Sequence, residues 1–107
     1  MTDDYVMVLT TLPTDADGVA FARSLVEERL AACVNLLAPM ESVYRWDENI
    51  ETESERQVVI KTSRERVPAL WDRVREVHPY DVPEFIVLPI VDGNDAYLRW
   101  LGESVNS

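Results

Sequence analysis

Residues 41–62 read ESVYRWDENIETESERQVVIKT, and no other part of the chain leaves the backbone fewer choices. ESVYRW (41–46) is a strand pattern with Ser42, Tyr44 and Trp46 on one face, because side chains alternate across a strand. DEN (47–49) is a turn. ETESERQVVIKT (51–62) is a return strand, polar at its start and apolar at its end. Two strands on so short a connection pair antiparallel, so a long hairpin is predicted. The nearby proline and the acidic start predict that its far end projects beyond the sheet.

The rest of the chain arranges itself around that hairpin. DYVMVLTTL (4–12) is an apolar run of strand length, and Pro13 stops it. Thr14 and Asp17 stand at N-cap and N3 spacing, and a helix is predicted over 15–30 with Val19, Ala22, Val26 and Leu30 on its inner face. ACVNLL (32–37) is a second apolar run, broken by Pro39. A second helix is predicted over 63–77, ordered from near Glu65 because Pro68 is tolerated only in the first turn. Val67, Leu70, Trp71, Val74 and Val77 form its apolar face, and Pro79 ends it. EFIVLPIV (84–91) is a fourth strand whose Pro89 predicts an edge or a bulge. DAYLRWLGES (95–104) is a short C-terminal helix with Tyr97, Leu98 and Leu101 apolar.

The order βαββαβ predicts an α+β, ferredoxin-like fold. Its antiparallel sheet carries two helices on one face and leaves the other face bare. Residues 1–107 read as a single domain. Strand 4 is apolar on both faces, so the bare face predicts self-association.

Composition narrows the partners. Twenty acids face ten bases, a net charge of -10, and Lys61 is the only lysine. That balance argues against nucleic acid and against anionic membrane surfaces, both of which demand clustered cations. It suits a self-repelling surface or adaptation to high salt, where screening removes the repulsion. The single cysteine, Cys33, forms no intrachain disulfide and reads as a buried, inert thiol. MTDDYVMVLTT has neither a basic region nor a long apolar run, so a cytoplasmic protein is expected.

VHPYDVPEF (77–85) carries the only histidine. His78 and Glu84 are a candidate acid–base pair, but a histidine in a helix's last turn more often serves as a cation against the helix dipole. One histidine and one cysteine cannot build a zinc site rich in either. No serine elbow or glycine-rich phosphate loop exists. The aromatic residues are unusual. Tyr44, Trp46, Tyr80 and Trp100 fall at strand ends, turns and the last helix, which suits interface packing or a pocket at a subunit boundary, with Glu55, Lys61 and His78 as polar groups.

TTLP (10–13), LVEERLAACVNL (25–36), SVYRW (42–46), Glu55, IKT (60–62), HPYDVPE (78–84) and YLRW (97–100) resemble the CutA divalent-cation-tolerance family, in order and over nearly the whole chain. The resemblance implies a non-enzymatic homotrimer in which the hairpin from about Met40 to Thr62 contributes to intersubunit sheets. It implies a role in divalent-metal tolerance, with copper or another divalent cation as the ligand in some members. It places Tyr44, Trp46, Glu55, Lys61, His78, Tyr80, Glu84 and Trp100 near a subunit boundary. The architecture is also similar to that of the PII signalling trimers, which keeps a small-molecule regulator as the rival. Copper ligation in the family is associated with a first-strand cysteine and a histidine pair before PY. Thr10 and Val77 stand in those places, leaving His78 alone as the metal-ligand candidate.

Overall fold

The hairpin is the spine of the computed structural model, which describes residues 4–106. β2 (Cys33–Trp46) and β3 (Asn49–Ser63) pair antiparallel down to Trp46 opposite Asn49. Asp47 and Glu48 make the turn, both at positive φ (49° and 65°). That is the twist a two-residue hairpin turn requires. β1 (Tyr5–Pro13) pairs with β3, and β4 (Ile86–Pro89) pairs with the outer edge of β1. The sheet order is therefore β2-β3-β1-β4, the ferredoxin-like arrangement predicted, with β4 an edge strand as Pro89 required.

One sheet face is covered by helices. Val6, Val8, Leu12, Val58 and Ile60 pack against Leu25 of α1 (Gly18–Glu27) and against Leu70 and Val74 of α2 (Val67–Val77). A 3-10 turn at Arg64–Arg66 leads into α2, and Pro68 occupies its first turn. The opposite face is open. Register places Met7, Leu9, Val59, Ile86 and Leu88 together on it. α3 (Asp95–Val105) covers only its far end, where Leu101 and Val105 meet Ala32, Tyr5 and Ile90. Gly102 permits that approach, since a Cβ there would sit 3.1 Å from the Tyr5 hydroxyl.

β1 ends opposite Glu55, so from Glu41 to Trp46 the hairpin runs without a third strand. Six residues at about 3.4 Å each make a ribbon of roughly 20 Å. It accounts for the elongated 44 × 25 × 24 Å shape.

Six local expectations are corrected. Pro39 does not break β2, which runs through it with one extra residue between Leu36 and Pro39. An edge strand with a bulge accommodates proline because the bulged backbone leaves the ladder locally unpaired. α1 is capped by Asp17, whose side chain accepts from the Ala20 amide, rather than by Thr14. α1 also ends at Glu27, because Arg29 turns left-handed (φ 59°) and the Leu30 and Arg29 amides return to the carbonyls of Leu25 and Val26. This Schellman turn brings Leu30 back onto Leu25, so the buried face is Leu25 and Leu30, while Val19 and Val26 are exposed. The outer ends of two further apolar faces, Val77 on α2 and Tyr97 on α3, are exposed as well. Cys33 is half-buried on the open face opposite Lys61, outside the main core.

Candidate functional site

The bulge in β2 decides what the hairpin shows to the open face. Before it, Cys33 and Asn35 share that face with Lys61 and Val59. The extra residue shifts the alternation by one, so Met40, Ser42, Tyr44 and Trp46 follow on the same side, opposite Glu55, Glu53, Glu51 and Asn49. Without it, both aromatics would turn to the helix side.

The corner after α2 builds the other wall. His78 is the C-cap, and its amide donates to the Val74 carbonyl. Its ring is buried across the end of β1. Nε2 donates to the Thr11 carbonyl oxygen at 2.6 Å, and Nδ1 accepts from the Tyr80 amide at 3.1 Å. A carbonyl only accepts and an amide only donates, so the ring is the neutral Nε2–H tautomer. Phe21 meets it edge-on at 6.5 Å. The expectation of His78 as a cation against the helix dipole is therefore corrected, because the ring instead splices the corner to β1.

Tyr80 then reaches over the cleft and donates its hydroxyl to Glu55 Oε2 at 2.7 Å, where Thr11 Oγ1 also donates at 3.4 Å. Glu55 is only 7% exposed. Burial first, and the Glu55 carboxylate second, hold the Tyr80 phenol well above its ordinary range. Tyr44 is raised too, by desolvation and then by Glu53, Glu55 and Glu51. Gln57 Nε2 donates to the Thr10 carbonyl at 2.7 Å and to Glu84 Oε2 at 2.8 Å, fixing Glu84 against β3. His78 and Glu84 thus have separate partners and are not bonded to one another.

Together these groups enclose a cleft of about 520 Å³, lined by Thr11, Met40, Ser42, Tyr44, Trp46, Glu55, Gln57, Tyr80, Asp81, Val82 and Glu84. Of the eight residues singled out in the sequence, Tyr44, Trp46, Glu55, Tyr80 and Glu84 line it, and His78 lies buried behind it. Lys61 and Trp100 lie elsewhere within one chain. Lys61, six β3 residues away from Glu55, approaches the Tyr97 ring at 5.9 Å, and Tyr97 meets the Trp100 ring at 5.3 Å with a 45° tilt. Sequence reasoning missed Gln57. Its position two residues after Glu55, on the same strand face, is the signal that would have found it.

The donor set expected for copper does not fit. Thr10 faces the helix side with its Oγ1 buried and without a partner, Val77 is aliphatic, and both His78 nitrogens are engaged. Among the described residues, no group of three or more His, Cys, Asp or Glu side chains is placed to hold a metal ion.

The sequence matches the family described as CutA1 divalent ion tolerance protein over residues 6–104. It is 44% identical to the divalent-cation tolerance protein CutA of Thermus thermophilus, over 92% of this chain and 95% of that protein. It is 42% identical to the chloroplastic protein CutA of Arabidopsis thaliana over 95% of this chain, which spans 56% of the plant protein. The structure of CutA1 from Oryza sativa superposes with a TM-score of 0.93 at 42% identity, covering 99% of this chain and 97% of that one.

Proposed function

We propose that this chain, which belongs to the CutA1 divalent ion tolerance family, serves divalent-metal tolerance as a non-enzymatic, cytoplasmic homotrimer. The observation that carries the assembly is the open sheet face with its unflanked hairpin. Ile86 and Leu88 are 47% and 39% exposed, and Val43, Trp46 and Ile50 on the ribbon are more than half exposed. An isolated two-stranded ribbon is marginal in water, and an apolar face this broad is covered in a working protein. Strands and apolar rows from neighbouring copies supply that cover.

Metal contact in this reading is weak. Copper or another divalent cation reaches His78 only if the Tyr80 amide releases Nδ1, and carboxylates of the acidic surface hold cations loosely. The same surface suits high-salt surroundings. Deleting the gene in its host should lower the copper or zinc concentration that stops growth; unchanged thresholds would overturn the role. Light scattering should give three times the 12.3 kDa chain mass, and a stable monomer would overturn the assembly.

The aromatic cleft favours a second reading, a small-molecule regulator resembling the PII trimers. About 520 Å³ lies in the range of small-ligand pockets, and Trp46 and Tyr44 remain exposed at its rim.

A further inference from the structure

The cleft has the wrong charge for a nucleotide. A bound phosphate is held by lysine, arginine or a helix N-terminus. No lysine or arginine lines this cleft, and Glu55, Asp81 and Glu84 do.

Glu55 is the group to explain. The residue is more than nine-tenths buried, yet it has no cationic partner among the described residues. Both of its hydrogen bonds, from Tyr80 and Thr11, fall on Oε2. Oε1 has no hydrogen-bond donor. It is not sealed from solvent either, since the one such sealed and unpartnered side-chain atom among the described residues is Thr10 Oγ1. A buried carboxylate with a vacant oxygen on a cleft is an acceptor waiting for a charged donor.

The walls define the rest of the ligand. Tyr44, Trp46 and Tyr80 offer aromatic surface that attracts a cation's N–H and C–H groups and packs against an alkyl body. A bare divalent metal ion is a poorer fit, because among the described residues no group of three or more His, Cys, Asp or Glu side chains is placed to hold one.

We propose that the cleft binds a small organic ammonium, with its N–H on Glu55 Oε1 and its carbon body against Trp46 and Tyr80. The proposal rests on the reading of the cleft as a small-molecule site and names the ligand class for it.

Calorimetry on the intact oligomer at low salt tests it, with n-butylammonium, an alkanediammonium, ATP, inorganic phosphate and zinc chloride as probes. Saturable binding of the ammonium ions is expected, with ATP and phosphate silent. Glu55→Gln keeps an acceptor for Tyr80 but removes the charge, and should weaken ammonium binding at least tenfold. Trp46→Ala should weaken it severalfold, measured on the fraction that light scattering shows to be fully assembled. ATP binding lost in Trp46→Ala but kept in Glu55→Gln would overturn the ammonium assignment and leave the small-molecule reading standing. Silence from every probe, with a neighbouring copy's lysine or arginine found on Glu55, would overturn both. Zinc binding that depends on Glu55 while ammonium ions are silent would also overturn the assignment.

Discussion

Thr10 shows at the scale of one residue how a side chain can be out of place in a sound core. Its hydroxyl is fully buried with no partner, at a helix-facing position between Val8 and Leu12. A buried unpaired hydroxyl costs about 1–3 kcal/mol. Thr10→Val keeps the shape, removes the polar atom and should raise the melting temperature by several degrees at fixed protomer concentration. His78 is the opposite case, a polar ring with both nitrogens satisfied. His78→Ala strands the Thr11 carbonyl and the Tyr80 amide and empties the space beside Phe21, so a loss of about 2–4 kcal/mol is expected in thermal or urea unfolding. Tyr80 adds a pH dependence. Its phenol stays protonated in the fold beyond the ordinary value of 10.0, whereas the unfolded chain releases the proton near that value. The fold therefore binds the extra proton above pH 10. The contribution is whole below that pH and is lost as pH rises toward the folded-state value. Tyr80→Phe should flatten the fall in stability above pH 10, and an alkaline melting profile as steep as that of the unmodified protein would contradict the Tyr80–Glu55 account.

At the scale of elements, the hairpin was legible because period-two alternation on both sides of DEN leaves one pairing. α2 was legible because Pro68 and Pro79 bracket an apolar stripe. Two features were hidden by missing glycines and a misleading proline. Arg29 closes a Schellman turn that ordinarily advertises itself by glycine, so α1 looks three residues too long at its C-terminal end and its inner face is misassigned. Pro39 looked like a strand end because proline is excluded from central strands, but β2 is an edge. The bulge beside it is invisible to periodicity, and it is what puts Tyr44 and Trp46 on the side of Glu55. The corner at 78–84 reads in the sequence first as a structural turn and only second as a metal ligand, and the fold shows that His78 spends both nitrogens on backbone. The hairpin turn carries its own test. Asp47 and Glu48 hold left-handed backbone without glycine, at a cost of about 1 kcal/mol or more each. Replacing the pair by Asn-Gly (Asp47→Asn with Glu48→Gly) should stabilise the ribbon by about 1 kcal/mol, read as slower amide exchange from Tyr44 to Glu51.

At the scale of the whole molecule, two opposed fields meet on one face. The centre of the open face is apolar, through Met7, Leu9, Val59, Ile86 and Leu88, and draws copies together. The ribbon carries Glu51, Glu53 and Glu55 in a row on that same face, within a chain of net charge -10, and pushes copies apart. The described ion pairs, such as Arg73 with Glu28 and Arg75 with Asp72, lie on the helices and leave the row untouched. Screening shortens the repulsion from a reach of roughly 10 Å at 0.1 M salt to about 3 Å at 1 M, while apolar contact survives. Potassium chloride should therefore raise the melting temperature and favour the assembled state. The two fields separate by mutation. Leu88→Lys sets a charge in the apolar centre, and light scattering should show the mass falling toward one chain at low salt. Val19→Lys adds the same charge on the exposed side of α1, across the sheet, and should leave the mass unchanged. Equal masses for Leu88→Lys and the unmodified protein would mean that the open face is not where copies meet, and the unflanked hairpin would have to find its cover elsewhere.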